Sequence, residues 1–149
     1  MPATCWDATV RAGFVARIAK LTPETRPRWG RMSAAGMTAH LNDAVRMALS
    51  DLPVKPKGGP LRFPPLRYLI LYVFPFPKGA PTAPELLVRC DAASLEEERR
   101  QFAMLMDRLG QVTPATRFGE HPAFGHLTHK DYGTLIAKHT EHHFRQFGL

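Results

Sequence analysis

"THKDYGTLIAKHTEHHFRQFG", residues 128–148, reads as one helix from cap to cap. Thr128 followed three positions later by Asp131 is a helix-opening pattern, and Gly148 stands where a helix can close. Between them Tyr132, Leu135, Ile136 and Phe147 recur at helical spacing and mark one apolar side. Two histidines share that side. At about 100° per residue, His139 lies at its centre and His143 about 40° from His139. His142 falls about 60° the other way, a flank position, and Glu141 sits about 160° from the pair and faces solvent. A helix this long and one-sided needs other helices to bury its stripe.

The rest of the chain supplies them. Ser94 with Glu97 repeats the cap pattern ahead of "LEEERRQFAMLMDRLG", where Phe102, Leu105, Met106 and Leu109 form the stripe and Gly110 suits the end. Nearer the start, Asp7 can cap a helix carrying Val10, Phe14, Ile18 and Leu21. Ser33 can cap "AAGMTAHLNDAVRMALSDL", with Met37, Leu41, Ala44, Val45, Ala48 and Leu49 at helical spacing. The stretches "TPETRPRWGRM" and "QVTPATRFGEHPAFGHL" are punctuated by proline and glycine and read as loops.

Residues 51–93 differ: nine of the fourteen prolines lie there, around "LRYLILYVFPF". This predicts a long crossover with one or two helical turns, ending near Pro84, then a brief extended segment "ELLVRC". Four long helices and one long connection predict an all-α fold, a four-helix bundle of the single-crossover kind, in one domain spanning 1–149. A long crossover lets the second and third long helices run parallel, with the fourth antiparallel to both.

Composition narrows the function classes. The chain has 149 residues, 44% apolar and 22% charged, within the ordinary globular range. The N-terminus lacks the pattern of a secretory signal. The longest apolar run is shorter than the roughly 20 residues of a membrane span and is broken by Pro75. A cytoplasmic protein with no membrane partner is expected. Cys5 and Cys90 fit no zinc spacing; a reduced pair is the simpler reading and a disulfide the alternative. The net charge is +7, with Arg46, Lys55, Lys57, Arg62, Arg67, Lys78 and Arg89 set against only Asp51 and Glu85 between residues 46 and 90. Without a nucleic-acid motif, a solvated arginine-rich surface or an anionic small molecule is expected in preference to nucleic acid.

His139 and His143, one turn apart and facing inward, present two imidazoles to a single cation. The pair is not the zinc-protease motif, because Thr140 stands where that motif needs glutamate. His40, between Met37 and Ala44 at the margin of the second helix's stripe, is the expected third ligand. It lies ~10 Å into its helix, and the pair lies ~6 to 12 Å before the end of the last helix. With those helices antiparallel, all three reach one level. His121, His126 and His129 are read as surface histidines.

Together "TAHLNDAVRMAL" and "HPAFGHLTHKDYGTLIAKHTEHHFRQFG" resemble the DinB-like superfamily, in a branch of unknown function. The resemblance runs over most of the chain, including "WGRM" before the second helix and the proline-rich crossover. The family pattern falls on His40, His139, His143 and Gln146. It implies an up-down-down-up four-helix bundle, frequently dimeric, holding a divalent metal on three histidines. Relatives of that kind include thiol-dependent S-transferases and a mycothiol-dependent maleylpyruvate isomerase.

On this reading the protein binds zinc or nickel, with a low-molecular-weight thiol as further cofactor. It acts as a transferase or hydrolase on a small, anionic substrate. Three neutral imidazoles leave a coordination position open, and the ion would lower the pKa of a bound water or thiol. The alternative is a non-catalytic metal-binding stress protein. Gln146 is expected beside the ligands, Trp29 at the pocket mouth with Tyr68, Tyr72 and Phe74, and Arg67 as the residue drawing in the anion.

Overall fold

Short polar side chains set where most of the long helices begin. Asp7 accepts from the Thr9 amide at 2.7 Å and opens α1 (Ala8–Ile18). Ser33 accepts from the Gly36 amide at 2.9 Å and opens α2 (Ala34–Ala48). In the computed structural model, which describes residues 2–149, the crossover then holds a 3₁₀ turn over Pro60–Arg62 and one α-helical turn, α3 (Leu66–Tyr68), continued by a π-helical turn over Leu69–Val73. The remaining long helices are α4 (Leu95–Leu109) and α5 (His129–Phe147). Thr128 and Asp131 exchange side-chain and backbone hydrogen bonds at the start of α5, the full reciprocal cap. The fold is all-α, with no strand among the described residues and one isolated bridge, His121 to Gly125.

Two local expectations are corrected. Ser94 precedes α4, but its hydroxyl makes no cap bond, and the Glu97 carboxylate turns to Arg100 and Gln101 on its own helix. The segment "ELLVRC" is not extended; a 3₁₀ turn over Pro84–Leu86 is followed by further turns. Cys5 and Cys90 are free thiols, the simpler of the two readings of the sequence.

The core forms where the four stripes meet. Phe14, Ile18, Leu21, Met37, Leu41, Phe102, Met106, Leu109, Tyr132 and Phe144 are all 2% exposed or less. Phe144, absent from the predicted stripe of α5, is its most enclosed aromatic. It packs edge-on to Phe14 at 5.6 Å and lies 6.3 Å from Phe102. Helix α2 packs against α4 and α5, and α1 against the same two.

Polar pairs thread these interfaces. Asn42 donates to the Glu98 carboxylate, Arg108 pairs with Asp51, Arg99 donates to the Leu21 carbonyl, and Arg17 pairs with Glu141. Glu141 is thus half of an α1–α5 ion pair rather than a free solvent charge. Buried Asp43 and Glu98 are both held by Arg89, with Arg46 also on Asp43, so their charges are neutralised in place. Among the described residues no helix is long and apolar enough to cross a membrane.

Candidate metal centre

Helix spacing puts His139 and His143 on the inner side of α5, and the α2–α5 interface brings His40 to meet them. The His139 Nε2 atom lies 3.0 Å from Nε2 of His40 and 3.1 Å from Nε2 of His143. One ligand atom from each of the three falls within 4.8 Å of the others. His40 is 2% exposed and His143 8%, so water cannot freely serve these nitrogens.

The second nitrogen of two rings is already committed. His40 Nδ1 donates to the Leu86 carbonyl at 3.2 Å, and His143 Nδ1 donates to Gln146 Oε1 at 2.7 Å. Gln146 is oriented in turn by donating Nε2–H to the Trp29 carbonyl at 3.0 Å. Gly30, at φ +77°, lets the backbone pass this close; a Cβ there would stand 3.0 Å from Gln146 Nε2.

Those bonds fix the tautomers. With Nδ1 protonated, the Nε2 atoms of His40 and His143 carry lone pairs, and both point at His139. His139 Nε2 can hold one proton at most and so can satisfy only one of them. A cation satisfies all three. Two nitrogens each ~2.0–2.1 Å from one tetrahedral zinc stand roughly 3.3 Å apart, close to the spacings found. The three histidines could hold a metal ion.

The electrostatics agree with that donor set. Burial pushes the His143 imidazole down to about 3, and the neighbouring His40 adds to the effect. Burial likewise holds His40 below the ordinary imidazole range, and His139 well below it with His143 and His40 beside it. The rings stay neutral near pH 7, the state in which imidazole binds metal.

A family model for a protein of unknown function, DUF1569, matches residues 11–148. The chain belongs to DUF1569. No curated protein and no solved structure matches it.

The other residues expected at the site divide. In this DUF1569 chain Gln146 lies directly behind His143, and Trp29 contributes twice, by its carbonyl to Gln146 and by its ring, edge-on to His142 at 5.8 Å. Arg67 is not brought to the cluster. Its guanidinium donates to the carbonyls of Arg62, Phe124 and His126, and its charge falls on Asp131, ~12 Å along α5 from His139.

Tyr68 and Phe74 are exposed and Tyr72 donates to Asp131, so none of the three walls the cluster. Phe76 does so instead, 6.5 Å from His139 and 6.0 Å from His142. It sits between two prolines, outside any periodic pattern, and only the path of the crossover reveals it. His126 is exposed as expected. His129 stacks on Trp6 at 4.4 Å, and His121 is half-buried, accepting from the Ala123 and Phe124 amides; neither is a plain surface histidine.

Proposed function

We propose that the protein binds one divalent metal ion, zinc or nickel, on His40, His139 and His143. A single observation carries this: three Nε2 atoms converge, two of them on buried rings, while the outer two rings spend their N–H groups elsewhere. A bound divalent ion would supply Lewis acidity and lower the pKa of a coordinated water or thiol. The chain's own part is to hold three neutral donors in place. Leu86 and Gln146 fix two of the rings, and the enclosing side chains limit water.

On that basis the activity proposed is metal-dependent transfer to a low-molecular-weight thiol, or hydrolysis, with a small molecule as substrate. A DinB-like ancestry is proposed with it. Its up-down-down-up helix order is supported by the paired positions. Asn42 with Glu98 and Asp51 with Arg108 ascend together along α2 and α4. The pairings of Arg99 with Leu21 and of His40 with His139 fit antiparallel neighbours. A single domain, a cytoplasmic location and a homodimer belong to the same proposal.

The second reading is a metal-binding stress protein without catalysis. The test is elemental analysis of untagged protein beside His139→Ala, followed by Co(II) spectroscopy with small thiols. One equivalent of metal, lost in the variant, is expected; no stoichiometric metal in the wild type sinks the proposal. A Co(II) spectrum shifted by thiol favours the transferase, and an unchanged one the non-catalytic reading.

A further inference from the structure

A cleft of about 400 Å³ runs between the outer face of α5 and residues 71–76 of the crossover. Leu71, Val73, Phe74 and Phe76 form one wall, and Ala137 and His142 the other. Half of that apolar wall is open to water: Val73 is 54% exposed and Phe74 52%. Single exposed apolar side chains are ordinary, but several lining one concave surface mark a binding site.

The charged groups in the lining separate cleanly. Lys138 is spent on the carbonyls of Ile70, Leu71 and Phe74, and Glu141 on Arg17. Arg145 is exposed and has no carboxylate partner among the described residues. The cleft therefore offers one free guanidinium beside an apolar wall.

Its inner end is one ring from the candidate metal centre. His142 lies 5.2 Å from His143, and Phe76 touches both His142 and His139. The surroundings are basic as well. Residues 52–84 carry five cations and no acidic side chain, a field that gathers anions.

We propose that this cleft binds a small amphipathic anion, a carboxylate or phosphate monoester with an aromatic or short aliphatic body. Its anionic group meets Arg145 and its body lies on Phe74 and Phe76. A planar guanidinium suits either oxyanion through paired hydrogen bonds. The volume is that of a small-molecule site. This deepens the metal-site reading by naming the molecule presented beside the cluster, but binding here does not need the metal.

The test is an amide-resolved NMR titration with 3-phenylpropionate, its uncharged amide and phenyl phosphate, on metal-free and on zinc-treated protein. The expected result is saturable shifts confined to residues 71–76 and 134–145, with both anions binding about tenfold or more tighter than the amide. Arg145→Gln should erase that preference, and Phe74→Ala should weaken all three ligands. Equal affinity for acid and amide, shifts elsewhere, or an unchanged Arg145→Gln overturns the proposal. So does concentration-dependent self-association abolished by Phe74→Ala without anion binding, which would make the face an interface between copies. Anion binding in protein that takes up no zinc would remove the metal reading and leave this one. Zinc binding with no anion binding would do the reverse.

Discussion

His121 shows how a single half-buried imidazole can couple stability to pH. Burial pushes its pKa down to about 4. Its Nδ1 atom also accepts from two amides at 3.1 Å, and a proton there would face two donors. The unfolded chain binds that proton below about pH 6.5 and the folded chain does not. Stability is therefore fully present above pH 6.5 and is lost as pH falls toward 4, by on the order of 3 kcal/mol in total. His121→Asn retains an acceptor for the same amides and cannot titrate. Urea unfolding between pH 7 and 4 should show the variant losing less stability than the wild type, and parallel curves would refute the account. Gln146 acts through another residue. With Gln146→Ala, the His143 Nδ1–H loses its acceptor, and zinc affinity should fall about 10- to 100-fold in a chelator-competition assay while far-UV dichroism stays the same. Unchanged affinity would mean that Gln146 only packs. Periodicity in the sequence placed His139 and His143 on the inner side of α5, but no periodicity could assign Leu86 or Trp29, because both act through backbone carbonyls.

The two glycines that end α4 and α5 look alike in the sequence and behave differently. Gly148 takes φ +74°, with the Gly148 amide donating to Arg145 and the Leu149 amide to Phe144, the paired closure of a left-handed helix end. Gly110 keeps φ −65°, an ordinary helical value. Gly148→Ala should cost about 1–2 kcal/mol, from the left-handed backbone and a Cβ 3.1 Å from the Arg28 guanidinium. Gly110→Ala should cost less, because its backbone is already helical; its Cβ would stand 2.8 Å from the Arg11 guanidinium and 3.1 Å from the Asp107 carbonyl, with no left-handed strain added. Thermal melts of the two variants check the contrast, and equal losses would refute it. The contrast also marks what was legible at this scale. The stripes of α1, α2 and α4 are present as spaced, and so is the Thr128–Asp131 cap, since each depends on residues within a turn or two. At Ser94 the hydroxyl makes no cap bond, and the reciprocal half is lost because the Glu97 carboxylate finds Arg100 and Gln101 on its own helix. In the crossover, proline removes amide donors and with them the local preference, so neither the π-helical turn at Leu69–Val73 nor the position of Phe76 has a sequence signature.

Across the whole molecule, the cluster joins elements that are far apart in the chain. His40 comes from α2 and the other two histidines from α5, 99 residues separating His40 from His139. An ion held by all three would bind the folded chain and not the unfolded one, so it would add stability according to its free concentration. At a hundredfold excess over the dissociation constant the gain is about 2.7 kcal/mol, or roughly 5–10 °C in melting temperature for a chain of this size. Zinc-treated wild type should melt higher by that amount, and a chelator should reverse the shift. His40→Ala should abolish the shift while still folding, because the substitution opens a small gap beside α5 and leaves Phe14, Phe102 and Phe144 packed together. A melt in which His40→Ala gains as much from zinc as the wild type would show that α5 alone holds the ion. It would place the site on one helix rather than across the α2–α5 interface.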